Sequence, residues 1–237
     1  MKLTPDLLAN APTYINPVKD RELNLRGKKI PEIVNLGVTK DQNDAIDFVD
    51  NDIRRLDGFP RMPHLSTLLL ARNRISTISA SIHESLPNLK ILILTSNSIA
   101  ELADLNALSG LKKLTVLSIM DNPVSRKDHY RSWIIWKCPS VRIMDFQRVK
   151  DKERAKAKEL FSTASGEPTP LAASIMGVKS RVFEVGGSDA AGGEKAAAPL
   201  RLTEEERKRI EEAIKSASSL EEVTRLERAL REGRIPE

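Results

Sequence analysis

The sequence predicts an α/β solenoid, a parallel concave sheet assembled from stacked short repeats and capped at both ends. Three observations predict it. Apolar residues recur in one pattern along the first half, each copy ends on the same polar slot, and the flanking segments carry end-cap signals. The clearest copies are Leu65-x-x-Leu68-x-Leu70-x-x-Asn73-x-Ile75-x-x-Ile78 and Leu89-x-x-Leu92-x-Leu94-x-x-Asn97-x-Ile99-x-x-Leu102. Leu114-x-x-Leu117-x-Ile119-x-x-Asn122 follows them. Fainter copies precede them: Leu23-x-Leu25-x-x-Lys28-x-Ile30 and Ile46-x-Phe48-x-x-Asn51-x-Ile53-x-x-Leu56. Asn51 to Asn73 is a step of 22, Asn73 to Asn97 of 24, and Asn97 to Asn122 of 25.

Those steps fall in the roughly 20–29-residue period of leucine-rich repeats. Each unit reads as a short strand, a tight turn and a return segment. None can bury its apolar face alone, so neighbours stack around a shared core. In Leu92-x-Leu94 the alternation sends both leucines to one side of the strand, into the stack. Each such burial is worth roughly 1.5–3 kcal/mol before entropy is subtracted. The asparagine amide carries two donors and an acceptor. Where the chain turns inward it can satisfy backbone groups that are otherwise buried unpaired. Lys28 holds that slot in the first copy, as suits a terminal, partly open repeat.

In chain order, Thr4-Pro5-Asp6 reads as N-cap, first helical residue and dipole-favoured acid of a short helix ending near Asn10. The repeats follow. After them Tyr130-Arg131-x-Trp133-Ile134-Ile135 runs apolar and aromatic until Cys138-Pro139, and Val141-x-x-Met144-Asp145-Phe146 resembles a truncated sixth strand. Trp133 and Trp136 are expected to plug the open end of the core, with ligand stacking as the other reading. The repeat domain with its caps is placed at 1–162 and a disordered linker, rich in Gly, Ala, Ser and Pro, at 163–201. A helical segment is placed at 202–237. There Thr203-x-x-Glu206 and Ser219-x-x-Glu222 are capping boxes, and Ile210, Ala213, Ile214, Ala217, then Val223, Leu226 and Leu230, keep helical spacing. That helix pair reads either as a docking hairpin or as a marginal pair without a partner.

The 237 residues carry a net charge of +5 and one cysteine, Cys138. The charge leaves an acidic or nucleic-acid partner open. A single cysteine forms no internal disulfide and fits a reducing compartment. No apolar run approaches the roughly 18 residues of a membrane span, and the N-terminus lacks a signal-peptide core. A soluble, intracellular chain with no membrane partner is expected. His64, His83 and His129 lack metal-ligand spacing, and no phosphate-binding glycine loop follows a strand. Asp121 and Asp128 beside His129 lack a nucleophile. Neither an enzyme nor a cofactor is expected.

The hollow is more telling. The residues flanking the leucines project from the concave sheet: Ala45, Asp47 and Val49; Thr67, Leu69 and Ala71; Ile91, Ile93 and Thr95; Val116, Ser118 and Met120. Val49, Leu69, Ile91, Ile93, Val116 and Met120 are expected to form one contiguous exposed apolar strip. Such a patch marks a protein interface, and a concave sheet suits an amphipathic helix laid across it. Asp47, with Asp50, Arg72 and Asp121 at the edge, is expected to orient that helix by charge. The competing reading is that the chain fills its own groove. Basic residues cluster elsewhere, Arg26, Lys28 and Lys29 on the first turn and Arg148, Lys150, Lys152, Arg154, Lys156 and Lys158 after the cap. Lys150, Arg154 and Lys158 share one helical stripe, as phosphate contacts do.

Several stretches resemble the A-prime family of the U2 small nuclear ribonucleoprotein. They are Arg21-Glu22-Leu23-Asn24-Leu25-Arg26-Gly27, Asp44-Ala45-Ile46-Asp47-Phe48, Leu56-Asp57-Gly58-Phe59-Pro60 and Asn122-Pro123-Val124. His129-Tyr130-Arg131, Val141-Arg142-x-Met144-Asp145-Phe146-Gln147-x-Val149-Lys150 and the end of the chain, Glu222-Val223-x-Arg225-Leu226 to Gly233-x-Ile235-Pro236, join them. The resemblance implies a nuclear, non-catalytic scaffold of the spliceosome. It implies a heterodimer with the B-double-prime protein, a helix of whose RNA-recognition domain lies in the concave face, and binding of a U2 RNA stem-loop by the pair. The partner's sheet then reads the loop bases by stacking. This chain adds helix docking and phosphate contacts, for which Arg26, Lys28, Lys29, Lys150, Lys152 and Arg154 are the candidates. A leucine-rich-repeat regulatory subunit of a protein phosphatase is the alternative reading.

Overall fold

The computed structural model describes residues 2–163 and 166–178. Its strands are β1 Thr13–Ile15, β2 Arg21–Asn24, β3 Ala45–Asp47, β4 Arg55–Leu56, β5 Thr67–Leu69, β6 Thr77–Ile78, β7 Ile91–Ile93, β8 Val116–Ser118, β9 Ile143–Met144 and β10 Gln147–Arg148. Eight of them form one sheet in the order β1-β2-β3-β5-β7-β8-β9-β10. From β2 to β9 every neighbour is parallel, one strand per repeat. An antiparallel hairpin closes each end. In the return segments β4 and β6 form a second, parallel pair.

Register explains the core. Leu23, Ile46, Leu68, Leu92, Leu117 and Met144 stand side by side across the sheet. All are buried, together with Leu25, Phe48, Leu70, Leu94 and Ile119, the second apolar position of each strand. Met144 in this row makes the segment after the cap the sixth rung.

The asparagines form a ladder. Asn73 Nδ2 donates to Phe48 O (2.9 Å) in the preceding repeat and Leu70 O (3.1 Å) in its own, while its Oδ1 accepts from Ile53 N (3.1 Å). Asn97 repeats this with Leu70 O, Leu94 O and Ile75 N. Asn122 does so with Leu94 O, Ile119 O and Ile99 N, and Asn51 with Leu25 O, Phe48 O and Ile30 N. Just before each slot the chain turns through left-handed backbone, at Gly27, Asp50, Arg72, Ser96 and Asp121. That turn swings the amide inward.

Glycine is required at Gly58, where φ is +76 and a Cβ would run into the Ile33 carbonyl oxygen. The obstacle is backbone and cannot rotate away. Gly58→Ala is therefore expected to destabilise by about 2–3 kcal/mol, read as a lower urea midpoint at unchanged slope.

Both caps form. Helix α1 spans Pro5–Ala9, with Thr4 Oγ1 accepting from Leu7 N at 3.2 Å. After α2 (Ile82–Ser85) and a 3-10 segment, Leu102–Gly110, the far cap is built by α3 (Tyr130–Lys137) and α4 (Asp151–Phe161). Trp133 is fully buried and donates its ring N–H to Leu102 O (3.0 Å), and Phe161 meets it edge-on at 5.1 Å. The tryptophans are packing groups, as expected. Trp136 donates to Ser162 Oγ (2.9 Å) under the Lys137 ammonium, 4.3 Å from its ring.

The order continues past residue 162. Within the stretch expected to be linker, α5 (Pro170–Gly177) is capped by Thr169 Oγ1, which accepts from Ala172 N at 3.3 Å. Ala172 is buried, and Ile175 and Met176 pack on the core. A short apolar face against the cap supplies the burial that a loose linker lacks. The expected helices at 202–237 lie outside the described residues.

Candidate docking hollow

Strand pairing lays the hollow out in three rows. The first reads Glu22, Ala45, Thr67, Ile91, Val116, Ile143, with Tyr14 beside Glu22. The second reads Asn24, Asp47, Leu69, Ile93, Ser118. Past the strand ends, the bonds of Gly27 N, Asp50 N, Arg72 N and Ser96 N to Val49 O, Ala71 O, Thr95 O and Met120 O align a third row. It reads Arg26, Val49, Ala71, Thr95, Met120.

Leu69, Ile91, Ile93 and Val116 are half-buried neighbours in the middle of the hollow. Ile143, 40% exposed, extends them towards the cap. The strip differs from the expected one at both margins. Val49 is 8% exposed and counts with the buried residues, with the Asp47 carboxylate folded onto its N–H and Arg26 and Ala71 beside it in the third row. Met120 is open, but Thr95 and Ser118 separate it from Ile93. Ser118 is buried, and its hydroxyl lies 2.9 Å from that of Thr95. Among the described residues the chain does not fill this hollow. Helix α5 packs on the Leu102–Gly110 segment and α4 instead.

The hollow has an acidic end. Glu22 accepts from Tyr14 Oη (2.7 Å) and Asn16 Nδ2 (3.0 Å), and Asp47 Oδ1 accepts from Val49 N (2.7 Å). Burial pushes the Asp47 carboxyl above the usual carboxylate range, with the Glu22 charge adding to it. The Val49 N–H and the Arg26 charge pull the other way. A raised native pKa means that the folded chain holds the proton more tightly than the unfolded one. Stability from this group is then full below the ordinary carboxylate pKa and falls as pH rises through the window up to the raised value. Asp47→Asn keeps an acceptor for Val49 N and removes the charge. Urea midpoints at about pH 4 and pH 7 are expected to show a smaller loss towards neutrality in the variant than in the parent.

At the cap end, Tyr130 Oη donates to Asp145 Oδ2 (2.9 Å), and Asp145 Oδ1 accepts from Ile119 N (2.8 Å). Phe146 stands 72% exposed in the turn after β9. Tyr14, Glu22, Ile143 and Phe146 were missed by the repeat pattern. A signal existed for the first two: Thr13-Tyr14-Ile15 is strand-like and Asn16-Pro17 is a turn, realised by Asn16 Oδ1 accepting from Val18 N and Asp20 N.

The basic candidates fall in two places. Arg26, Lys28 and Lys29 are exposed beyond the end of β2, and Lys150 and Lys152 are exposed at the start of α4. Arg154 does not join Lys150 and Lys158 as a free stripe. Its guanidinium donates to Pro139 O (2.9 Å) and Val141 O (2.6 Å), carbonyls of the loop before β9. Cys138 is buried, and desolvation pushes its thiol up to about 12, far from the reactive range.

Repeat, ladder and caps define a leucine-rich-repeat protein, and the family model described as "Leucine-rich repeat" matches residues 1–174. The chain is 59% identical to the U2 small nuclear ribonucleoprotein A′ of Aspergillus fumigatus, over 100% of this chain and 93% of that one. It is 53% identical to the A′ protein of Neurospora crassa, over 100% and 95%. The chain belongs to the U2 small nuclear ribonucleoprotein A′ family, a family of structural spliceosomal proteins and not of enzymes. Among solved structures, the Drosophila melanogaster SNF/U2A′ complex matches with a TM-score of 0.67 and 51% identity, covering 70% of this chain and 95% of that one.

Proposed function

We propose that this chain is a non-catalytic structural subunit of the U2 particle, working in the nucleus in pre-mRNA splicing. Its hollow holds a helix of an RNA-recognition-domain protein of the B-double-prime type, and the pair binds the U2 RNA stem-loop. The observation that carries the reading is the row of half-buried apolar residues, Leu69, Ile91, Ile93 and Val116, lying open on a curved sheet of an A′-family chain. The solved relative is a complex of U2A′ with SNF, which supports a protein partner. Asp47, Ala71, Thr95, Ser118 and Met120 edge the helix site. Glu22 and Asp47 at one end favour a cationic residue on the docked helix, since a cation relieves the cost of the buried carboxylates. Arg26, Lys28, Lys29, Lys150 and Lys152 supply phosphate contacts. Coexpression with the cognate RNA-recognition-domain protein tests the reading. A co-eluting pair on size exclusion supports it, and two separate peaks at micromolar concentration overturn it.

A further inference from the structure

One threonine closes two helices at once. Thr169 Oγ1 donates to Leu160 O (2.9 Å) in the last turn of α4 and accepts from Ala172 N (3.3 Å) in the first turn of α5. Its backbone joins in, the N–H donating to Phe161 O (3.1 Å) and the carbonyl accepting from Ala173 N (2.9 Å). Leu160 and Phe161 lie at the end of α4, where carbonyls lack a partner within the helix. The C-terminus of α4 and the N-terminus of α5 are thus joined through one side chain. Little else holds α5 down. Ala172 is its one buried residue, Ile175 and Met176 are half-buried, and the rest is exposed. So short a helix with so few apolar contacts opens at small cost.

Pro170 follows Thr169 directly, and the only other serine or threonine before a proline in the 237 residues is Thr4. A serine or threonine followed by proline is the pair that proline-directed kinases select. The residue before a proline favours extended backbone, and Thr169 already has it, at φ −67 and ψ 162. Pro168 and Pro170 on either side are exposed.

We propose that Thr169 is a substrate of a proline-directed protein kinase, and that its phosphorylation parts α5 from α4. Oγ1 attacks the γ-phosphorus of ATP, an O–P bond forms, the bond to the ADP oxygen breaks, and the hydroxyl proton passes to the kinase's base. The product has no hydroxyl proton, so Leu160 O loses its donor. A group of about −1.5 to −2 charge then stands beside the negative end of α4, with Glu167 two residues before it. The N-terminus of α5 favours that same charge. The helix therefore keeps its own cap, and the junction between the helices is what breaks. The site lies away from the hollow, since α5 packs on the Leu102–Gly110 segment and α4, and it holds whatever occupies the hollow.

The test uses the full chain with Pro5→Ala, which removes the second threonine–proline pair and keeps the Thr4 hydroxyl as a cap. It is incubated with ATP and a cyclin-dependent or a mitogen-activated kinase. Mass spectrometry locates the phosphate, and hydrogen exchange is followed over residues 166–178. Thr169 is expected to carry the phosphate, and Pro170→Ala is expected to prevent it. Exchange over 166–178 is expected to quicken roughly tenfold on phosphorylation and to return to the starting rate after phosphatase treatment. Part of the gain is expected to fade in high KCl, because screening weakens the repulsion. Thr169→Ser, which keeps the hydroxyl, is expected to follow the parent at each step. If both kinases phosphorylate a short threonine–proline peptide but leave Thr169 unmarked, the proposal fails. Exchange that is the same before and after phosphorylation overturns it equally.

Discussion

Ile93→Asp is expected to abolish the complex at micromolar concentration while leaving the free chain folded. Ile93 sits half-buried in the second row, with Leu69 beside it and Ile91 two residues before it. Full burial of a side chain of this size is worth roughly 1.5–3 kcal/mol, and with half already buried a docked helix gains about half of that by removing the rest from water. Aspartate forfeits that gain and places a carboxylate under the helix. Leaving it buried and unpaired costs roughly 3–5 kcal/mol more. At about 1.4 kcal/mol per tenfold, the sum weakens binding by roughly two and a half orders of magnitude or more. Because the side chain is already half in water, the free variant is expected to melt within a few degrees of the parent by circular dichroism. Co-elution of the variant with its partner, undiminished, would remove the hollow from consideration as the docking site.

Asn97→Leu is expected to be the most damaging single change to the ladder, at about 2–3 kcal/mol. The cost does not fall evenly on its partners. Leu70 O keeps Asn73 Nδ2 (3.1 Å) and Leu94 O keeps Asn122 Nδ2 (2.8 Å), so both carbonyls remain satisfied. Among the described residues the buried Ile75 amide has only Asn97 Oδ1, at 2.9 Å, and is left without a partner. Hydrogen exchange distinguishes this from general loosening: the Ile75 amide is expected to lose protection far more than Ile53, whose acceptor is Asn73. Equal losses at both amides would mean that the rung acts only through packing.

The buried residues were readable because periodicity dictates them. A leucine that alternates within a strand and recurs every 22 to 25 residues has one place to go, and every such position is in the core. The asparagine slot was readable for the same reason. Fine relief in the hollow was not. Val49 and Ser118 occupy the same kind of position as Leu69 and Val116, yet they are closed off. Contacts with neighbouring side chains, Asp47 at Val49 and Thr95 at Ser118, go with that, and the residues between the leucines follow no period. Arg154 shows a second limit. Helical spacing set it on a stripe with Lys150 and Lys158, but the carbonyls that hold it come from another element. Helix α5 was legible and overlooked. Thr169-Pro170 repeats the Thr4-Pro5 start signal, while the surrounding Gly, Ala and Ser composition pointed to a linker.

A stack of parallel strands has no natural stopping point, since each unit's flank is a template for the next. The reversal of chain direction at β1 and β10 supplies one. An open strand edge invites pairing with another chain, and at both rims that edge is a short hairpin strand, three residues in β1 and two in β10, so little ladder is offered for head-to-tail growth. The trough therefore has a set length, fixed by how its two ends are folded.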